Sequence, residues 1–151
     1  MQIIKDKQLI ANDWTYVDEA SEIPRHGNIT VSLDCWKKQR PHLLNRSGKT
    51  GVRLAPEDDS RELSGLLSGI ELIELNFPGF GDGRLFSHAR LLRSRLGYQG
   101  EIRAVGNFLA DQVYFLTRVG VNAFLMENQQ QIPLALSCMD DFSVNYQISS
   151  L

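Results

Sequence analysis

Residues 77–120 read FPGFGDGRLFSHARLLRSRLGYQGEIRAVGNFLADQVYFLTRVG, and the fold is decided here. Two glycine-rich turns are each followed by a helical pattern, with a short strand pattern between them. The turn from Pro78 to Gly83 can continue neither a strand nor a helix. Beyond it, at about 100° per residue, Leu85, Ala89, Leu92 and Leu96 fall on one narrow arc. This predicts a helix from Arg84 to Leu96, closed by Gly97-Tyr98-Gln99-Gly100. Arg84, His88 and Arg95 are expected on its flank, and Arg90 and Arg93 on its far side. Glu101–Val105 then reads as a strand, and Gly106-Asn107 opens a second helix to about Val119. Its expected buried side holds Phe108, Phe115, Leu116 and Val119. Gln112 falls inside that arc, so its amide needs a hydrogen-bond partner. Asn107, Asp111 and Arg118 share one ridge, with Tyr114 beside it.

Working outward, the same alternation extends in both directions. Gly51–Ala55 reads as a strand, and Glu57, Asp58 and Asp59 as the acidic first turn of a helix striped by Leu63, Leu66 and Leu67 that stops near Gly69. Ile70–Phe77 and Val121–Met126 read as strands, and Asn128–Ser137 as a helix with Pro133 near its start. Phe142, Val144, Tyr146 and Ile148 alternate with polar residues, which predicts a terminal strand over Asp141–Ile148. Upstream, Gln8–Ile10, Trp14–Val17 and Ile29–Leu33 read as edge strands or an N-terminal extension. Asp34 is placed to cap a helix through Leu44, broken by Pro41. The chain is therefore read as one α/β domain over 1–151: a strand-rich extension (1–47) and a βα core (48–148). Strands alternating with helices predict a small, mostly parallel sheet with N- and C-terminal edge strands. A half-barrel-like sheet and an open doubly wound sheet both satisfy the pattern.

Composition excludes several classes of function. The 151 residues are 42% hydrophobic and 23% charged, ordinary for a globular protein. With a net charge of −2 and no aromatic residues interleaved with basic ones, nucleic-acid binding is not expected. No apolar run reaches the roughly 20 residues of a membrane span. Lys5, Asp6 and Lys7 interrupt the N-terminal apolar piece, so no signal peptide is read there, and a cytoplasmic protein with reduced Cys35 and Cys138 is expected. His26, His42 and His88 lack second ligands at metal spacing, and no metal or cofactor is indicated. There is no nucleophile elbow, and Gly79-Phe80-Gly81-Asp82-Gly83 departs from the dinucleotide fingerprint. Ser47-Gly48-Lys49-Thr50-Gly51 contains GKT, but Leu43 stands where the P-loop needs its first glycine, so it reads as a turn.

The distribution of positive charge is more informative. Lysine stops at Lys49, and six of the eleven arginines lie between Arg84 and Arg118. Arginine's planar fork suits bidentate contact with oxyanions, and a set of structural salt bridges is the alternative use. In either α/β architecture ligands bind beyond the carboxyl ends of the strands. That rule points to Ala55-Pro56-Glu57, to Pro78–Arg84 and to Val105-Gly106-Asn107. Asp82, Gly83 and Arg84 open a helix and form a candidate oxyanion cradle, with Ser87 one turn on. Arg103, Gly106, Asn107, Asp111, Gln112 and Arg118 complete the candidate binding set. Asp82 and Asp111 are the acid/base candidates if the protein is an enzyme on a small anionic substrate.

The string Phe77-Pro78, Phe80, Asp82-Gly83-Arg84, Ser87, Leu92-Arg93, Arg95, Gly97-Tyr98, Gly100-Glu101, Arg103-Ala104, Gly106, Asp111-Gln112, Arg118 and Gly120 resembles a bacterial family, domain of unknown function 934. The likeness extends more loosely from Gly51-Val52 to Tyr146-Gln147. The resemblance implies a role in sulfur assimilation, because the family is commonly encoded beside the assimilatory sulfite or nitrite reductase haemoprotein and is sometimes labelled a probable oxidoreductase. It therefore implies that haemoprotein as a partner; a homo-oligomer is a further expectation. Gly79 and Gly81 replace the family's usual lysine and threonine, and Asn107 its commoner aspartate. Val119 stands where cysteine is commoner, which argues against a redox thiol there.

Overall fold

The computed structural model of the protein describes residues 1–18, 21–79 and 83–139. The predicted strand over Asp141–Ile148 lies outside these residues, as does Asp82. Eight described strands form one sheet: β1 Gln2–Lys5, β2 Gln8–Ala11, β3 Trp14–Tyr16, β4 Asn28–Ser32, β5 Thr50–Leu54, β6 Ile70–Phe77, β7 Glu101–Gly106 and β8 Ala123–Met126. The helices are α1 Leu33–Leu44, α2 Gly83–Ser94, α3 Val113–Arg118 and α4, helical over 132–139. None of the described helices is long and apolar enough to cross a membrane.

The sheet order is β2-β1-β8-β7-β6-β5-β4-β3. From β3 to β8 the strands are parallel and neighbours in space are neighbours in sequence. Right-handed crossovers in a sequential order return every connection to the same face. The packing agrees. Trp36 and Leu43 of α1, Leu85 and Ala89 of α2, Leu116 of α3 and Ile132 and Ala135 of α4 share one core with Val31, Val52, Ile73 and Ile102. A doubly wound sheet needs a reversal of strand order with helices on both faces, and among the described residues this sheet has neither.

The N-terminal strands explain why the sheet curls. β1 pairs antiparallel with β8 and with β2, so β2 is one edge, while β3 is the other. Yet only Asn12 and Asp13 separate β2 from β3. Seven steps of 4.8 Å would hold the edges about 34 Å apart in a flat sheet. Three Cα–Cα steps span at most about 11 Å. The sheet therefore wraps toward closure, as a half-barrel with its helices outside. Residues 1–47 are thus part of the same sheet and supply both of its edges.

Local chemistry sets the element boundaries. Ser32 caps α1 by accepting from the Cys35 N–H at 3.1 Å, in place of the expected Asp34. The helix kinks at Gln39, two residues before Pro41, as the proline predicts. The helix expected from Glu57–Asp59 to near Gly69 is a single 3₁₀ turn, Ser60–Leu63. Asp58 turns back to accept from the Ala55 N–H at 2.7 Å, and Gly65 and Gly69 adopt φ of +77° and +94°, which ends helical continuation. The second predicted helix is likewise shorter: a 3₁₀ turn at Ala110–Gln112 precedes α3. Asn107 consequently lies in the loop, and Phe115, expected inside, is 55% exposed.

On the helix-free face the strand register builds a row of charge. Arg53, Glu74 and Arg103 are direct cross-strand neighbours. Glu74, 2% exposed, accepts from Thr30 Oγ1 at 2.8 Å and Arg53 Nε at 3.0 Å, while the Arg53 guanidinium lies 4.2 Å from the Tyr16 ring centroid. Arg103 donates to Glu101 Oε2 from Nε and NH2 at 2.9 and 2.6 Å, and reaches Asn12 Oδ1 at 3.3 Å. Lys5 closes on the other oxygen of Glu101 at 2.8 Å. The chain that links the two edges is tied in this way to the inner face, where Ile3, Val105 and Leu125 form a small apolar cluster.

Candidate functional site

The six arginines of residues 84–118 divide into distinct uses. Arg103 is on the inner face, 2% exposed and held by Glu101 and Asn12, so it does not join the other predicted site residues. Period-2 alternation with Ile102 and Ala104, both in the helix-side core, carried the signal. Arg93, expected to face solvent, instead donates to the carbonyls of Tyr98, Gly100 and Gly120 at 2.7–3.0 Å. It ties the end of α2 to the loops flanking β7 and β8, and burial holds its guanidinium below the ordinary arginine range. Arg84, Arg90, Arg95 and Arg118 are exposed.

Arg90 and Arg118 meet in a groove of about 720 Å³ between α2 and the α3 segment, lined also by Phe86, Asp111, Gln112, Phe115 and Val119. It continues past Arg93, Ser94 and Gly120. The 3₁₀ turn before α3 shapes its upper end. Gln112 meets the expectation for its amide by accepting from the Leu109 N–H at 2.8 Å, which closes that turn and leaves Asp111 exposed at the rim. Arg118 is steadied by Tyr114, whose hydroxyl accepts from it at 3.2 Å and whose ring lies 5.8 Å from the guanidinium carbon. Phe115 packs edge-on against Tyr114, with ring centroids 5.4 Å apart. Leu109 adds a second exposed apolar side chain on the same segment. Asp111 is the one carboxylate among the described lining residues. Two arginine forks, exposed aromatic surface and little competing negative charge suit an acidic ligand carrying an apolar part.

At the carboxyl ends of the strands, Gly83 starts α2, with exposed Arg84 and Ser87 in its first two turns. Gly106 has φ +98°, and a Cβ there would lie 2.5 Å from the Phe77 carbonyl oxygen. The close approach that glycine permits is to the chain's own β6 end: the Asn107 N–H donates to Phe77 O at 2.8 Å, and its side chain to Pro78 O at 3.3 Å. Gly106 and Asn107 thus brace the turn that leads into α2. The structure brings Asp111, Gln112 and Arg118 together and sets Gly83, Arg84, Ser87, Gly106 and Asn107 at the adjacent strand ends.

Sequence reasoning missed a buried pair. His88 is 8% exposed, and its Nε2 lies 3.2 Å from Pro56 O, which can only accept. Nε2 therefore carries the proton, and Nδ1 accepts from the Ser60 hydroxyl at 3.0 Å. Ser60 is itself 3% exposed, so the pair fixes the 3₁₀ turn to α2 instead of presenting a nucleophile. Among the described residues no group of three or more His, Cys, Asp or Glu side chains is placed to hold a metal ion.

The chain belongs to the family of bacterial proteins of unknown function DUF934, whose sequence model matches residues 51–150. The match covers the βα segments from Gly51 onward, including both helices that form the groove. No curated protein and no solved structure matches the chain.

Proposed function

We propose that this protein is a cytoplasmic accessory factor of sulfite reduction that engages an anionic ligand or the sulfite reductase haemoprotein through its arginine-rich βα segments. The observation that supports this reading is the groove where Arg90 and Arg118 converge beside exposed Phe115, with Asp111 as the one carboxylate among the described lining residues. The genomic company implied by the family resemblance supplies the partner. Burying Phe115 and pairing two arginine forks with acidic side chains would give such an interface an aromatic and arginine centre, the residue types that dominate binding energy. Electrostatic attraction would also raise the association rate.

The test is co-purification of the tagged protein with the reductase haemoprotein, comparing wild type with an Arg90→Glu/Arg118→Glu variant. Capture by wild type and loss in the variant, with unchanged melting temperature, supports the proposal. Equal capture by both proteins, or by neither, contradicts it.

A further inference from the structure

A second cationic pocket lies at the opposite end of the strands from the turn that opens α2. It encloses about 340 Å³ and is lined by Arg25, His26, His42, Asn45, Arg46 and Ser47. No carboxylate is among these lining residues. Its frame is unusually well fixed for a junction of two loops. Arg46 donates from Nε to Pro24 O at 2.7 Å, from NH2 to His26 O and Gly27 O at 3.1 and 2.7 Å, and from NH1 to Lys49 O and Thr50 Oγ1 at 3.3 and 3.0 Å. The Ser47 N–H donates to Arg25 O at 3.0 Å, and the Lys49 N–H to Asn28 Oδ1 at 3.2 Å. Gly48, at φ +109°, lies so close to Gly27 that no Cβ would fit between the loops.

Among the described residues every acceptor that satisfies Arg46 is neutral, so none of them cancels its charge. Arg25, His26 and His42 add cationic or hydrogen-bonding groups around the same space. Near the end of α1 the carbonyls of His42 and Leu43 take the Asn45 and Arg46 N–H groups at 3.2 and 3.4 Å. The GKT turn is thus one wall of a preorganised positive pocket rather than a nucleotide loop, and preorganisation lowers the cost of binding.

We propose that this pocket binds a tetrahedral oxyanion of the phosphate or sulfate type, held by Arg25, His26 and His42 on the frame set by Arg46. The proposal is independent of the α2–α3 groove. The test titrates inorganic phosphate and glycerol 3-phosphate, by calorimetry, into wild type, Arg25→Gln/His42→Gln and a remote control, Arg95→Gln. Arg25 and His42 are exposed and Arg46 is left intact, so the frame survives. One equivalent of saturable binding is expected, weakened at least about tenfold in the double variant and unchanged in the control. Tighter binding of inorganic phosphate assigns the pocket to a free ion, and tighter binding of the ester to the end group of a metabolite. Absence of saturable binding with both probes, or equal affinity in the double variant, overturns the proposal.

Discussion

Replacing Glu74 with alanine tests whether the charged row on the inner face stabilises the curled sheet. Glu74 is 2% exposed and joins β6 to β5 through Arg53 and to β4 through Thr30. Breaking a buried ion pair from one side costs about 3–5 kcal/mol. The Arg53 side chain retains 24% exposure and can turn toward water over Tyr16, which places this pair near 3 kcal/mol, the lower end of that range. Thr30 is fully buried, and its orphaned hydroxyl adds about 1 kcal/mol. The expected loss is thus about 4 kcal/mol, or roughly 8–16 °C in melting temperature for a chain of this size. Removing both charges, as Arg53→Met/Glu74→Leu, leaves only the Thr30 deficit. In a cycle of Arg53→Met, Glu74→Leu and the pair, the double variant should lose well less than the sum of the two single losses. Urea unfolding followed by circular dichroism measures each corner. A loss below about 1 kcal/mol for Glu74→Ala, or a strictly additive cycle, would refute the reasoning.

Gly106→Ala places a methyl 2.5 Å from the Phe77 carbonyl at φ +98°, and should cost about 2 kcal/mol or more in urea unfolding; a change below about 0.5 kcal/mol would remove the bracing role assigned to Gly106. Burial pushes the Tyr98 phenol well above its ordinary 10.0. Because its folded pKa is raised, the neutral form's stabilisation is complete below pH 10.0 and is lost as pH rises above it. Stability should fall by up to about 1.4 kcal/mol per pH unit there, and less steeply in Tyr98→Phe; identical alkaline slopes would contradict the assignment. Hydrogen bonds from Arg61 hold the exposed Asp59 carboxylate below its ordinary 3.8. Its contribution is present above pH 3.8 and lost as pH falls through the lowered value, so wild type and Asp59→Asn should converge in stability on acidification. A constant difference between them would argue against it.

Much of the fold was legible because its signals are local. The glycine-rich turns and short apolar runs located β5 to β8, and Gln8–Ile10, Trp14–Val17 and Ile29–Leu33 marked β2, β3 and β4. β1 escaped because its hairpin turns on Asp6 and Lys7, both at positive φ, without the usual glycine. The choice between a doubly wound sheet and a half-barrel was hidden, since it rests on the pairing of β1 with β8 and the two-residue link between the edges. For the site, Asp111 and Arg118, read on one ridge with Asn107, line one groove, whereas Asn107 lies in the loop and Gln112, read inside the apolar arc, lines the groove as well. Phe115 was misplaced because the helical wheel was drawn from Asn107, whereas α3 begins at Val113. Partners distant in sequence decided Arg93 and His88, whose acceptors include Gly120 and Pro56.

The most direct measurement of the proposed function is the affinity of the purified protein for the sulfite reductase haemoprotein as ionic strength rises. Docking through Arg90, Arg118 and Phe115 predicts saturable binding that weakens with salt, and at least about tenfold weaker binding in Arg90→Glu/Arg118→Glu. Binding indifferent to both salt and charge reversal, or no binding at low salt, would contradict it.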